Sequence, residues 1–212
     1  MRVGVIDYGV GNLGSVLSAL EALGAVPVIV NRPIDMHTTD CLILPGVGNF
    51  TDCARMLNDG GWTNALREEV LGYDRPLLGV CVGMQLLADS STEGSVLGEV
   101  TPGLGFIPGR VKHLCSFGCN LRVPHVGWNG ITRTRSDDQL LKGIPDGTDF
   151  YFVHSYAFDP QKPEDVLAMT DYGVPVSVVI RRGHIWGTQF HPEKSSRAGL
   201  RLLKNFIEGS GC

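Results

Sequence analysis

Apolar and polar positions follow two different periods along the first half of the chain. "MRVGVID" is apolar almost throughout and reads as a buried strand. "NLGSVLSALEALG" instead places Leu13, Val16, Leu17, Leu20 and Leu23 at helical spacing and stops at Gly24. "VPVIV" and "CLILPG" are two further strands. Helices are expected over about 49–58 and 62–71, followed by a strand, "PLLGVC", and a helix, "VGMQLLADS". Strands that are apolar on both faces, separated by amphipathic helices, predict a parallel sheet covered on both sides.

The second half changes character. From "LGFIPGRVKHL" to "VPHVGWNGITRT" the pattern is shorter, rich in Gly and Pro, and strand-like. "DFYFVHSYAF", "DVLAMTDY" and "VPVSVVIRRGHIWGTQF" add strands, the last forming a hairpin across Arg182 and Gly183. "SSRAGLRLLKNFIEG" is a closing helix, with Ser195 or Ser196 as its cap. No linker or repeat divides the chain. The expectation is a single α/β domain over 1–212, with a central, mainly parallel sheet flanked by helices and a β-rich second half.

Composition narrows the class of function. The 212 residues are 43% hydrophobic and 19% charged, with a net charge of −4. That affords a sizeable core. No basic stripe recurs, which argues against nucleic acid as a partner. No apolar run approaches the ~18 residues of a membrane-spanning helix, and the first residues read as a strand rather than a signal sequence. A cytoplasmic enzyme is expected. Of the cysteines at 41, 53, 81, 115, 119 and 212, only Cys115 and Cys119 lie close together. One such pair is too few ligands for zinc, so no metal and no cofactor are expected.

Two glycine loops follow strands. "VIDYGVGNLG" contains Gly9, Gly11 and Gly14, a literal GxGxxG. A dinucleotide site also needs an acid closing the second strand, and "VPVIV" ends in Asn31 and Arg32. The loop reads better as a tight turn at the sheet's carboxyl edge. In "LILPGVGNF", Gly46 and Gly48 can aim backbone N–H groups into an anion-binding concavity, or form a plain strand-to-helix turn.

The spacing Gly79-Val-Cys81-Val-Gly83 is that of a nucleophile elbow with sulfur in place of the hydroxyl. A sharp strand-to-helix turn lifts the thiol clear of the sheet, and small flanking residues let neighbouring backbone pass. The N–H of Val82 is placed to donate to an oxyanion. A cysteine nucleophile needs a base, and His191 is the strongest candidate: it closes "HIWGTQF" and begins "HPEKS". Extended geometry before Pro192 would hold His191 and Glu193 side by side, so that the carboxylate fixes the imidazole tautomer. Together these residues specify acyl transfer through a thioester. Cys81 attacks a carbonyl, His191 shuttles the proton, and Val82 with the Gly46–Gly48 loop stabilises the oxyanion.

These residues resemble the class I (triad-type) glutamine amidotransferases. Within them, they are most similar to the glutaminase subunits of imidazole glycerol phosphate synthases, from histidine biosynthesis. The resemblance runs nearly end to end through "DYGVGNL", "LPGVGNF", "GVCVGMQLL", "GLGFIPGRV", "VPHVGWN", "YFVHSY" and "GTQFHPEKSS". It implies hydrolysis of L-glutamine to glutamate and ammonia through a glutamyl thioester on Cys81. It also implies delivery of the ammonia to a (β/α)8-barrel cyclase in a heterodimer, which makes imidazole glycerol phosphate and aminoimidazole ribotide. By that resemblance Val47 and Val82 form the oxyanion hole, Gln85 holds the substrate's amino-acid end, and Gly46, Gly48, Ser155 and Tyr156 are further glutamine contacts. Asn12, Trp128, Tyr151 and Lys194 match positions at the docking face.

Three positions depart from the motifs: Val82 replaces a frequent leucine, Val126 a frequent methionine, and Leu121 an expected basic residue. "STEGSVLGEVTPGLGF" reads as an expanded loop. A paralogous subunit serving amidino-sugar synthesis for a surface polysaccharide is the alternative within the family. A silent binding module is the alternative outside it.

Overall fold

A computed structural model describes residues 1–94, 99–135 and 137–210. Cys212 and part of the loop anticipated as expanded lie outside those residues. The chain lays down β1 (Arg2–Ile6), α1 (Leu13–Ala22), β2 (Val26–Val30), β3 (Cys41–Leu44), α2 (Phe50–Asp59), α3 (Trp62–Leu66), β4 (Leu77–Val80) and α4 (Val82–Gln85). Short strands β5 (Ser90–Ser91) and β6 (Thr101–Pro102) precede β7 (Gly109–His113), β8 (His125–Arg133), β9 (Thr148–His154) and β10 (Tyr156–Pro160). The chain ends with β11 (Val166–Asp171), β12 (Pro175–Arg182), β13 (Ile185–Thr188) and α5 (Ser196–Gly209).

Nine strands form the main sheet in the order β2-β1-β3-β4-β13-β12-β11-β8-β9. From β2 to β13 every pairing is parallel; from β13 to β9 every pairing is antiparallel. The α/β expectation therefore holds, with a mixed sheet whose parallel half comes mostly from the first half of the chain. Strands β3 and β4 are buried at every position, as a sheet covered on both faces requires. The core is continuous from Val3 through Phe150 and Phe190 to Phe206. A smaller sheet, β10-β7-β5-β6, packs beside it.

Several local expectations needed correction. "VGMQLLADS" is helical only over Val82–Gln85, because the carbonyls of Leu86, Leu87 and Ala88 turn away to accept from Leu104, Phe106, Ile107 and Gly105. The helix expected to 71 is α-helical to Leu66 and continues as a wider π-turn over Arg67–Gly72. The hairpin turns at Gly183 and His184, since Arg182 pairs directly with Ile185. Neither serine caps α5 with its side chain.

What this topology achieves is adjacency. β3, β4 and β13 are neighbours, so the loops leaving their carboxyl ends share one edge of the sheet. Ligands bind in such crevices. Those loops carry Gly46–Gly48, Cys81 and His191.

Candidate active site

Cys81 sits immediately after β4 with φ 57° and ψ −113°, a conformation that side-chain-bearing residues rarely adopt. Its N–H donates to the Thr188 carbonyl at 2.8 Å, and its carbonyl accepts from Gln85 N at 3.2 Å. The turn is thus pinned between β13 and the first turn of α4. The flanking glycines are steric requirements. A Cβ on Gly79 would lie 2.6 Å from the Gly83 carbonyl oxygen, and one on Gly83 would lie 1.9 Å from that of Leu44. Gly46 packs equally closely, its would-be Cβ 2.6 Å from Gly83 N. The glycine loop after β3 and the elbow after β4 therefore touch through bare backbone.

His191 faces this turn. Its Nδ1 lies 2.8 Å from Glu193 Oε1, with both side chains almost fully buried. Burial alone would lower the His191 pKa, but its contacts with the Cys81 thiol and the Glu193 carboxylate prevail and raise it to about 9. The pair forms by a different route from the extended segment expected. Residues Pro192–Lys194 make a single 3-10 turn, closed by Lys194 N donating to His191 O at 3.0 Å. Ser195 locks it: its hydroxyl donates to the His191 carbonyl at 2.6 Å and accepts from Tyr151 N at 3.0 Å. That is what Ser195 does in place of capping α5.

Val47, Gly48, Cys81, Val82, Gln85, Glu93, Ser155, Tyr156 and His191 line one cavity of about 360 Å³, within the usual range for small-molecule sites. Val82 opens α4, where backbone N–H groups have no intrahelical partner. Gly46 lies behind the cavity, beside a small void shared with Asn12 and Glu193. The loop carrying Val47 is held from below by Tyr8 Oη donating to the Pro45 carbonyl at 3.0 Å, and by Cys53 Sγ donating to that of Val47 at 3.3 Å. A larger groove of about 430 Å³ between α2, α3 and the 101–104 segment has no cysteine, histidine or carboxylate among its lining residues.

Sequence reasoning missed two residues of the site. Glu93 places a carboxylate in the cavity, with Oε2 accepting from Phe50 N at 3.1 Å. Burial pushes its pKa up to about 7 against that hydrogen bond. Glu93 stands in a loop with no motif to mark it. Gln189 was within reach of reading, since it belongs to "GTQFHPEKSS". It is fully buried, accepts from Gln85 Nε2 at 3.0 Å, and places its own Nε2 3.9 Å from Cys81 Sγ.

Of the residues expected at a docking face, the structure brings Trp128 and Tyr151 together, whereas Asn12 borders the small void with Gly46 and Glu193. Trp128 pairs with Tyr151 and Val126 with Val153 across β8 and β9. Trp128 is 55% exposed and Val126 56%; the Trp128 and Tyr151 rings meet edge-on with centroids 6.0 Å apart. Val153 belongs to both the exposed strip and the cavity wall. Lys194 is exposed, and Asn12 donates to Ser15 Oγ at 2.8 Å. Among the described residues no cluster of potential metal ligands occurs, and no helix is long and apolar enough to cross a membrane.

Residues 4–209 match the family model described as glutamine amidotransferase class-I. Similar chains include the imidazole glycerol phosphate synthase subunit HisH of Moorella thermoacetica, 47% identical over 97% of this chain and 94% of the relative. Those of Rhodospirillum rubrum and Methanosarcina acetivorans are each 46% identical, covering 98% of both chains. Among solved structures, one described as a glutamine amidotransferase superposes with a TM-score of 0.75 at 23% identity, over 99% of each chain.

Proposed function

The chain belongs to the class-I glutamine amidotransferase family, and from that premise we propose that it is the glutaminase subunit of an imidazole glycerol phosphate synthase. The observation that carries the chemistry is the Cys81 elbow against the buried His191–Glu193 pair, opening on a cavity also lined by Gln85 and Glu93. Glutamine enters with its side-chain amide at Cys81. The sulfur attacks the amide carbon, and the N–H groups of Val47 and Val82 receive the oxyanion. His191 holds the thiol's proton and gives it to the departing nitrogen, releasing ammonia and leaving a glutamyl thioester. Water, deprotonated by His191, then cleaves the thioester to glutamate. Glu193 fixes the imidazole tautomer and does not itself transfer a proton.

Gln85, Ser155 and Tyr156 hold the amino-acid end, and the Glu93 carboxylate suits the α-ammonium. Ammonia passes to a (β/α)8-barrel cyclase seated on the Val126–Trp128 face in a heterodimer, which makes imidazole glycerol phosphate and aminoimidazole ribotide. The names of the relatives and their near-complete coverage support the histidine-pathway assignment over a polysaccharide paralogue. Such an enzyme works in the cytoplasm. Measuring glutamate release with and without the barrel subunit and its nucleotide ligand tests this reading. Release is expected to be low from the isolated chain and to rise on assembly; high activity from the lone chain, or none in the complex, would contradict it.

A further inference from the structure

Two buried histidines have no part in the chemistry above: His154 in the wall of the cavity, and His125 against it on the neighbouring strand. His125 opens β8, His154 closes β9, and they are register partners across the ladder. His154 Nδ1 lies 2.9 Å from the Tyr156 carbonyl oxygen. A carbonyl only accepts, so Nδ1 carries the proton and Nε2 is bare. That bare nitrogen is 3.0 Å from His125 Nδ1, which must then be the donor. His125 Nε2 becomes an acceptor, and Asn129 Nδ2 lies 3.4 Å from it while also donating to the Asp171 carbonyl at 2.9 Å. A backbone carbonyl at each end thus settles every proton in the chain.

The chain reaches the substrate cavity. The Tyr156 carbonyl also accepts from Gln85 Nε2 at 2.9 Å, and the same nitrogen donates to Gln189 Oε1 at 3.0 Å. With both amide protons engaged, Gln85 Oε1 is left buried and without a partner, on a residue that lines the cavity. An acceptor so placed suits an N–H donor of the ligand. At the other end, the exposed side chains of Val126 and Trp128 alternate with His125 and Asn129 along β8.

We propose that His125 and His154 are positioning residues that set the orientation of the Gln85 amide, and through it the grip on the amino-acid end of glutamine. The proposal rests on the glutaminase reading and extends it: the strand that presents Val126 and Trp128 outward holds the substrate clamp on its inner face. Burial pushes both pKa values down to about 4. Neutral rings are what the chain demands, since a second proton on either would oppose N–H to N–H.

Three measurements test this. Long-range proton–nitrogen NMR correlation on histidine-labelled protein should find both rings in the Nδ1–H tautomer, the minor form of free imidazole, and neutral from roughly pH 6 to 8. Kinetics of the assembled enzyme should show His154→Phe raising the glutamine KM about tenfold, equivalent to ~1.4 kcal/mol, with kcat little changed. His154→Asn, whose amide can replace the Nδ1–H donor, should recover most of the loss. Alkylation of Cys81 by iodoacetamide, which ignores the amino-acid end, should proceed at the wild-type rate in both variants. An Nε2–H tautomer on either ring, an unchanged KM in His154→Phe, or an equal loss of alkylation would overturn the proposal. Should His154→Phe fail to fold, the tautomers and His154→Asn decide. If the wild-type complex does not hydrolyse glutamine, the glutaminase reading fails, while the tautomers still report whether the chain of protons exists.

Discussion

Cys81 holds a backbone conformation, φ 57°, that costs a side-chain-bearing residue about 1–3 kcal/mol. Cys81→Gly should therefore be more stable than Cys81→Ala by about 1 kcal/mol, read from denaturant midpoints, although neither can form a thioester. The elbow was legible in the sequence because two glycines at fixed spacing flag backbone contact. The His191–Glu193 pair was legible too, but for an incomplete reason: a tight turn braced by Ser195 brings them together, and a buried serine hydroxyl leaves no periodic trace. Glu193→Gln should lose activity roughly 100-fold less severely than Cys81→Ala, since orientation rather than bond-making is removed.

Glu93 makes a sign-definite prediction. Its carboxyl has a folded pKa near 7 against an ordinary value of 4.5, so it binds a proton more tightly in the folded chain. Stability from this group is present below about pH 4.5 and is lost as pH rises through 7. Glu93→Gln should accordingly raise the melting temperature at pH 8 and have less effect at pH 4.5. On the proposed role of Glu93 it is the ionised form that receives the α-ammonium, so wild-type kcat/KM for glutamine should fall as pH drops below about 7. In Glu93→Gln the KM should be higher and that limb absent; an unaltered limb would refute the assignment.

At the scale of elements, the site depends on two loops packed without side chains between them. Gly83→Ala would drive a Cβ into the Leu44 carbonyl. The expected loss is about 3 kcal/mol, the top of the range for overpacking, measured by urea denaturation. Apolar runs revealed the strands, because β3 and β4 are buried at every position. Helix lengths were less legible. α4 stops after Gln85 because the 104–107 segment takes the next carbonyls, a long-range competition that local spacing does not encode.

For the whole molecule, strand order does what sequence order cannot. Neighbouring β3, β4 and β13 unite residues from distant parts of the chain at one edge. The antiparallel extension then exposes Val126 and Trp128, with Val126 opposite the cavity-lining Val153. The mixed character of the sheet was only half legible, since the apolar pattern of β12 and β13 does not state direction. Trp128→Ala should weaken assembly with the barrel subunit by about 2 kcal/mol, the scale of a central aromatic anchor, measured by titration calorimetry.

The central claim is that one sulfur carries the acyl group. Acid-quenching the assembled enzyme during glutamine turnover and mapping the adduct by peptide mass spectrometry tests it most directly. The prediction is a glutamyl modification on Cys81 that vanishes in Cys81→Ala, while added ammonia still supports the cyclase. Glutamine-dependent turnover by Cys81→Ala, or an adduct on another residue, would contradict it.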